Sequence, residues 1–393
     1  MRKNMGWRNI AAGAAMGLWL LTAPVWAAGA WIDTEDFAAI ANGETVPGYS
    51  SKAQLIRKAE KAMTQPVPLL TDKEVVPPSG DKRDYTSLAI YFWPDSTSSD
   101  GLPYVRRDGH VNPERWDESR YDARRLERMK SELRALAQGY AVSGYEAFAE
   151  RAAALVDSWF IDPATRMNPR LEYAQLVPGK SEGRHSGIID TVNLIDVVDA
   201  LYLLESSPAF PPEKQRKVKA WFGAYTDWLL TSEKGKREAA SANNHGVWYD
   251  AQVAVFAHYA GRDDVARRVI RDVVHRRLEK QLAPDGSFPL ELARTRPMNY
   301  SLYVLRGYLT LARVGDELGI DLYDQQTAKG QGMKEAIWFI LPYVRGEKQL
   351  EKRDVADWKA SSFRQALRLA NRHYHEPAFD FAPVSADVRQ DKS

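Results

Sequence analysis

The chain has 393 residues, of which 44% are hydrophobic, and its 54 lysines and arginines nearly balance its 52 aspartates and glutamates. This length and hydrophobic content suffice to bury a large core, which excludes disorder as the overall state. The absence of cysteine excludes disulfides and thiolate metal sites, and the lack of a basic run argues against a nucleic-acid partner.

The N-terminal 27 residues have the three parts of a secretory signal peptide. Three basic residues precede an apolar run over 10–21, and Val25 and Ala27 have the small-residue spacing of a cleavage site. The apolar run is too short to span a bilayer of about 30 Å as a stable helix. The pattern predicts a signal peptide over 1–27 and a periplasmic or secreted protein that leaves the membrane once this segment is removed.

Apolar residues recur at helical spacing along most of the chain after about residue 118. The segment 188–204 is apolar on almost every side, which is typical of a helix buried in a core. In chain order, helices are predicted over 126–136, 148–159, 188–204, 218–229, 246–259, 263–282, 302–318, 333–344 and 357–371.

These helices predict an all-α fold, because no convincing series of alternating strands accompanies them. Short breaks between successive helices indicate antiparallel hairpins, and about six or seven hairpins close most simply as an incomplete α/α toroid. The mature chain, 28–393, is therefore predicted to be a single α/α-toroid domain. A helical solenoid is the alternative, but the sequence has no repeat of fixed period.

Two long segments, 64–117 and 162–187, lack helical spacing and are rich in proline, glycine, aspartate and aromatic residues. Long ordered loops on a helical scaffold commonly carry function. Both segments are therefore expected to contribute to a binding site.

The stretch SANNHGVWYD, which begins at Ser241, places amides, an imidazole and aromatic rings at a predicted helix start. Ser241 or Asn243 can cap this helix, so that Asn244 and His245 stand at its positive end. Donors in that position favour an anionic ligand. The alternative is a capped helix whose aromatic residues, Trp248 among them, belong to the core.

Three further regions accompany this stretch: DYTSLAIYFWPD with GLPYVRRDGHVNP (84–113), NPRLEYAQLVPGKSEGRHSGIIDT (168–191) and DGSFPLELARTRPMNYS (285–301). In matching order, the four resemble the alginate lyase superfamily of helical-toroid polysaccharide lyases, most closely the branch with an EGR…GIIDT loop. The resemblance spans about residues 80 to 310. It implies a lyase that cleaves a 1,4-linked polyuronate, above all alginate, by β-elimination and leaves an unsaturated uronate end.

The resemblance also implies a catalytic set of an asparagine-histidine pair, an arginine and a downstream tyrosine, matched here by Asn244, His245, Arg294 and Tyr300. β-Elimination removes the proton on the carbon that bears the carboxylate, so donors must face that carboxylate. Arg296 is the alternative arginine, and a core or rim position is the alternative for Tyr300. The four residues are expected to converge on one cleft.

Tyr300 is predicted to take the proton and to return one to the leaving oxygen. Its unperturbed pKa of about 10 makes it a poor base, so a neighbouring cation is required. Alternatively, His245 is the base and Tyr300 only the acid. Glu238 can orient His245 or Arg294 through a charge-assisted hydrogen bond, unless it is a solvated glutamate at a helix end.

Nine residues are predicted to contact the substrate. Aromatic rings suit the apolar faces of sugars, and arginines suit their carboxylates. A place in the core is the alternative for the aromatic residues, and a solvated turn is the alternative for the EGRH loop, in which His185 stands where the resembling family often has glycine. The nine are Tyr85, Tyr91, Trp93, Glu182, Arg184, His185, Glu238, Trp248 and Arg296.

Other functions remain open at this point. A glucuronan-type lyase would use the same chemistry, whereas a glycoside hydrolase on the same toroid would need two carboxylates, for which Asp190, Asp250 and Glu291 are candidates. A non-catalytic glycan-binding protein would keep the aromatic and arginine loops without the catalytic set. The expected partner is an anionic polysaccharide, and the lack of metal-binding and phosphate-binding motifs predicts no metal and no cofactor.

Overall fold

The computed structural model describes residues 29–351, 354–355 and 361–380. The predicted signal peptide lies outside these residues. Within them, no helix combines the length and the apolar character that crossing a membrane requires.

The helices of the first half of the chain pack around a long central helix, α3. It contacts α1, α2, α4 and α5. The helical spacing of the sequence did not indicate α1 and α2; α2 is largely polar and buries only one narrow stripe of side chains. The bounds are α1 Thr34–Ala41, α2 Lys52–Met63, α3 Ala123–Ser143, α4 Glu146–Val156 and α5 Asn193–Leu204.

The helices of the second half pack around α8, which is buried on nearly all sides. It contacts α6, α7, α9 and α12, and α12 also contacts α11, α13 and α14. The predicted all-α class is confirmed. The bounds are α6 Pro212–Thr231, α7 Glu233–Ala239, α8 Asn244–Tyr259, α9 Asp263–Val273, α10 Glu279–Gln281, α11 Pro289–Leu292, α12 Pro297–Glu317, α13 Met333–Val344 and α14 Ser361–Tyr374.

Three predicted helices are less regular than their apolar spacing indicated. The helix predicted over 148–159 passes from α4 into a π-helical turn, Asp157–Ile161. The helix predicted over 263–282 contains a π-helical turn, Val274–Leu278, between α9 and α10. The segment predicted as a helix over 188–204 begins as a 3₁₀ helix, His185–Val192, before α5 continues it. Its predicted burial is confirmed, since almost all of α5 is buried.

The two long segments without helical spacing form short strands. β1 (Thr86–Leu88) pairs in parallel with β4 (Tyr173–Leu176), and β2 (Phe92–Trp93) pairs antiparallel with β3 (Val105–Arg106). The parallel pair joins segments that are far apart in the sequence and brings them to one side of the helices.

The chain before α1 is held against α5 and α14. Asp199 accepts hydrogen bonds from the backbone N–H groups of Ala30 and Trp31, at 2.7 and 3.0 Å, and burial raises its pKa to about 8. Gln365 of α14 donates to the Trp31 carbonyl at 2.8 Å, and two arginines of α14 pair with Asp36. These contacts fix Trp31 in the wall of the cleft described next.

Candidate active site

One cleft of about 840 Å³ lies where β2, α3, α5, α8 and α12 meet. Seven arginine and lysine side chains and two aspartates line it, although the whole chain is nearly neutral. Such a concentration of one sign of charge favours an anionic ligand. The predicted site residues that line the cleft are Tyr91, Arg184, Asn244, His245, Arg294 and Tyr300.

The start of α8 presents the asparagine-histidine pair to the cleft. Asn243 is the N-cap, and its side chain accepts from the His245 backbone N–H at 3.2 Å. Asn244 is therefore in the first helical turn, two residues before the predicted start of the helix. Its backbone N–H and its Nδ2 donate to the two carboxylate oxygens of Glu291, at 2.6 and 2.8 Å. Glu291 is buried, and this burial raises its pKa.

Glu238 lies beneath the cleft and binds two imidazoles. His245 Nδ1 lies 2.6 Å from one carboxylate oxygen, and His185 Nδ1 lies 2.9 Å from the other. Burial of Glu238 opposes its ionisation, but the hydrogen bonds from both histidines prevail and lower its pKa. Because a carboxylate can only accept, Nδ1 of His245 carries a proton, and Nε2 is left for chemistry.

Tyr300 stands at the start of α12 with its hydroxyl in a small network. The hydroxyl lies 2.7 Å from the Tyr91 hydroxyl and accepts from Arg294 at 3.1 Å. The Arg294 guanidinium also covers the Tyr300 ring, 4.1 Å from its centroid. Burial and the Tyr91 hydroxyl raise the pKa of Tyr300, whereas Arg294 lowers it. The phenol is therefore protonated in the free protein.

Asp108 holds Arg294 in this position. It accepts from Arg294 at 3.1 Å and from the Thr295 hydroxyl at 2.8 Å. Burial opposes ionisation of Asp108, but hydrogen bonds from Arg294, Thr295 and Arg106 lower its pKa to about 2. The second candidate arginine, Arg296, is the N-cap residue of α12 and does not line the cleft.

Asp190, in the lining of the cleft, ties the two strand-forming segments together. It accepts from Tyr85, Ser87 and Gln175 at 3.1, 2.6 and 3.0 Å, and it pairs with Arg115 at 2.9 Å. A buried carboxylate with four partners is a structural anchor and not a free acid or base.

Arg184 reaches the cleft from the Gly-rich loop. Its Nε donates to Ser186 at 3.0 Å, and its guanidinium lies 4.9 Å from the centroid of the Phe92 ring. It also borders a smaller pocket of about 300 Å³, which His185 lines. The loop thus faces both cavities, with Arg184 between them.

Two predicted sugar contacts, Tyr85 and Trp248, are wrong because both side chains are in the core. Tyr85 is 1% exposed and is bonded to Asp190; Trp248 is completely buried, with its ring centroid 4.7 Å from that of Tyr303. Neither ring can reach a sugar. For both residues the alternative interpretation, a place in the core, is correct.

The other five predicted contacts, Arg296 among them, lie outside the lining of the main cleft. Trp93 donates to the His110 carbonyl at 3.0 Å and packs under Arg107. Glu182 is exposed in its loop. Glu238 is hydrogen-bonded to His245, and His185 is hydrogen-bonded to Glu238. These positions allow Glu238 and His185 to orient His245 without contacting a sugar in the cleft.

Several residues that shape the site were not predicted. Asp108, Arg106, Arg115, Gln175, Lys130, Arg134 and Arg306 line the cleft or hold its side chains. Asp108 lies within the motif region 84–113, but nothing in the local sequence shows that its carboxylate meets Arg294. The three from α3 and α12 lie on helices whose spacing indicated only packing.

The carboxylates proposed for a hydrolase are all committed to other groups. Asp250 is buried and pairs with Arg277 at 2.7 Å, and it does not line the cleft. Glu291 holds Asn244, and Asp190 is the anchor described above. These three positions offer no free pair of acids across a bound sugar. The exposed cluster of Asp321, Asp324 and His373 lies outside the cleft lining.

Comparison with known proteins identifies the family of this chain. The alginate lyase family model matches residues 69–350, which contain all four of the regions singled out in the sequence. The chain belongs to the alginate lyase family. It is accordingly a polysaccharide lyase. No curated protein matches it.

Solved structures agree with this family and with its fold. A crystal structure of an alginate lyase from Bacteroides ovatus has 34% identity and a TM-score of 0.83, over 89% of this chain and 93% of that one. Alginate lyase A1-III from Sphingomonas species A1 has 15% identity and a TM-score of 0.55, over 91% and 93%. An A1-III variant complexed with a tetrasaccharide has 16% identity and a TM-score of 0.61, over 90% of each chain. The predicted helical toroid of the alginate lyases is confirmed.

Proposed function

We propose that this alginate lyase family member cleaves a 1,4-linked polyuronate, alginate in the first place, by β-elimination. The observation that carries this proposal is the strongly basic cleft that contains Asn244, His245, Arg294 and Tyr300 together. A relative of low identity is known in complex with a tetrasaccharide, which supports an oligosaccharide ligand for the same fold. The anionic polymer would lie along the cleft.

The first task of the site is to stabilise the charge that develops on the substrate carboxylate. Asn244 and His245 stand at the N-terminal end of α8, where the helix dipole and the side-chain donors favour an anion. Each donor directed at developing charge typically contributes about 10² to 10³ in rate. Glu291 and Glu238 hold these donors in place before the substrate arrives.

The second task is proton transfer. Because its pKa is raised, Tyr300 keeps its proton and is ready to protonate the leaving glycosidic oxygen. Where the abstracted proton is on the same face of the sugar, Tyr300 first loses its phenol proton to solvent. The phenolate, stabilised by Arg294, then takes the sugar proton and returns it to the leaving oxygen. Where the proton is on the opposite face, Nε2 of His245 is the base.

An ultraviolet assay of the purified protein tests this function. The substrates are mannuronate-rich and guluronate-rich alginate blocks, glucuronan and polygalacturonate. We expect alginate to give products that absorb in the ultraviolet, because β-elimination leaves a conjugated double bond. Preference for glucuronan would reassign the substrate within the same reaction, and shortening of the polymer without an absorbing product would indicate hydrolysis. No unsaturated product from any polymer would refute the proposal.

We also propose that the protein is exported, because an enzyme that acts on a polymer must meet that polymer outside the cytoplasm. The charged and apolar pattern of residues 1–27 supports this location. N-terminal sequencing of the protein recovered from its natural host tests it. Cleavage after Ala27 is expected, and recovery of the uncleaved chain from the cytoplasm would contradict it.

A further inference from the structure

A cationic side chain with no acidic partner in the described part of the chain lines the cleft some distance from the catalytic residues. Arg306 is on α12, six residues after Tyr300, which corresponds to about 9 Å along a helix. Among the described residues, nothing hydrogen-bonds to its guanidinium or forms an ion pair with it. The other cations at this end of the cleft are paired, Arg134 with Asp196 at 3.2 Å and Lys130 with Glu127 at 2.8 Å.

Trp31 fixes the orientation of Arg306. The guanidinium carbon lies 3.6 Å from the Trp31 ring centroid, so one face of the planar group is covered. Trp31 is itself held, because its Nε1 donates to Thr310 at 2.7 Å and its ring packs edge-on against Trp248. A guanidinium stacked in this way keeps the N–H donors in its plane available, in the fork geometry that matches a carboxylate.

An unpaired, largely buried cation costs folding free energy, and burial indeed lowers the pKa of Arg306. Arg294, by comparison, is paired with Asp108. A cation in a cleft that no described residue pairs with, yet that is oriented on an aromatic ring, is suited to an anionic group supplied from outside.

We propose that Arg306, stacked on Trp31, binds the carboxylate of a uronate sugar that is not the one being cleaved. The inference rests on the proposed function and deepens it, because it assigns a second carboxylate subsite in the same cleft. Tyr303 lines the cleft between Tyr300 and Arg306 along α12, so a chain running from one to the other would pass over its ring. Only oligomers long enough to extend from Tyr300 to Arg306 gain this contact.

Binding of oligouronates of increasing length tests the proposal. A parent Tyr300→Phe variant, which is expected to bind but not to cleave, is compared by calorimetry with the same variant carrying Arg306→Gln. The matched control is Arg268→Gln, which removes the same charge from an exposed position on α9. For long oligomers, Arg306→Gln should weaken binding by about 10- to 100-fold, as loss of a charge-assisted contact does. For the shortest oligomers and for the control, affinity should be unchanged.

Arg306→Lys provides a second variant that keeps the charge but loses the planar fork, and we expect it to recover only part of the affinity for long oligomers. Equal affinity of the Arg306→Gln and Arg268→Gln variants for long oligomers would overturn the inference alone. An equal loss at every length would also overturn it, since a general structural defect does not depend on chain length. If the parent bound no polyuronate and the wild-type protein gave no unsaturated product, the proposed function and this inference would fall together.

Discussion

The two walls of the cleft hold their reactive groups in different ways. On the α8 wall, Asn244 and His245 are each fastened to a buried carboxylate, Glu291 and Glu238. On the α12 wall, Tyr300 has no carboxylate partner in the described part of the chain and is held by a second hydroxyl and an arginine. The α8 wall thus fixes donors for a developing charge, whereas the α12 wall keeps a proton available for transfer.

The largest effect is expected on the α12 wall, from Tyr300→Phe. The change keeps the ring but deletes the only hydroxyl proposed to protonate the leaving oxygen. We expect kcat on alginate to fall by about 10³- to 10⁴-fold, in the upper part of the range for a lost acid or base. Binding of oligomers should survive. Retention of more than about a tenth of wild-type activity on every accepted polymer would show that Tyr300 has no such role.

A smaller loss is expected on the α8 wall from Glu238→Gln. A glutamine has one acceptor oxygen and an NH₂ donor, so it can accept from the Nδ1–H of only one imidazole and no longer fixes the His245 tautomer. We expect kcat to fall by about 10²-fold with little change in KM. The control is Glu279→Gln, which removes an exposed glutamate that lies 2.9 Å from His275. An effect no larger than that of the control would contradict the positioning role.

The same variant should change how stability depends on pH. Because the folded-state pKa of Glu238 is lowered, its contribution is present above the unfolded value, about 4.3, and is lost as the pH falls through the folded value. At neutral pH, Glu238→Gln should lower the free energy of unfolding by about 1–3 kcal/mol. In urea titrations this difference should shrink below about pH 4. A difference that grew on acidification would contradict the assignment.

His185→Ala should have a weaker effect on the α8 wall. It removes one of the two imidazoles on Glu238 but leaves the 2.6 Å contact between Glu238 and His245. We expect kcat to fall by less than about tenfold and the pH profile of kcat to shift, because Glu238 then interacts with His245 alone. A loss as large as that of Glu238→Gln would instead indicate that His185 itself contacts the substrate.

The smallest effects on rate are expected from a matched pair of tyrosines. Tyr85→Phe removes a buried hydrogen bond to Asp190 and should lower the free energy of unfolding by about 1–2 kcal/mol while kcat stays unchanged. Tyr91→Phe removes the contact with the Tyr300 hydroxyl and should lower kcat a few-fold with little effect on stability. Kinetics and thermal melts of both variants test the pair. A loss of stability from Tyr91→Phe together with a loss of rate from Tyr85→Phe would contradict the assignment of Tyr85 to the core and Tyr91 to the cleft.

Helices were predictable where one side of each is apolar along its whole length. The spacing over 333–344 matches the bounds of α13, and the capping residues before His245 indicated the start of α8 to within two residues. α2 escaped prediction because its buried stripe consists of one leucine and two alanines, a weak apolar pattern, and its packing on α3 stabilises it. The π-helical turn after α9 could not be predicted either, because the spacing of apolar residues does not distinguish a single π-helical turn from an α-helical one.

The motifs indicated the family and four residues that share the cleft, but not the partners of those residues. Tyr85 and Tyr91 lie six positions apart in one extended segment, and one is buried against Asp190 while the other meets Tyr300. Local sequence cannot distinguish them, because burial depends on which distant segment packs over each ring. For the same reason, local sequence cannot show that Arg294, and not Arg296, lines the cleft.

The sequence by itself determined the helical class, the family and the chemical types of the site residues, since these follow from periodicity and from residues close together in the chain. Only the tertiary structure decided which charges are paired. Glu238 meets His185 across 53 positions, and Asp108 meets Arg294 across 186. Within the described residues Arg306 has no acidic partner for the same reason: a side chain finds its counter-charge only when closure of the helices brings distant segments within hydrogen-bonding distance.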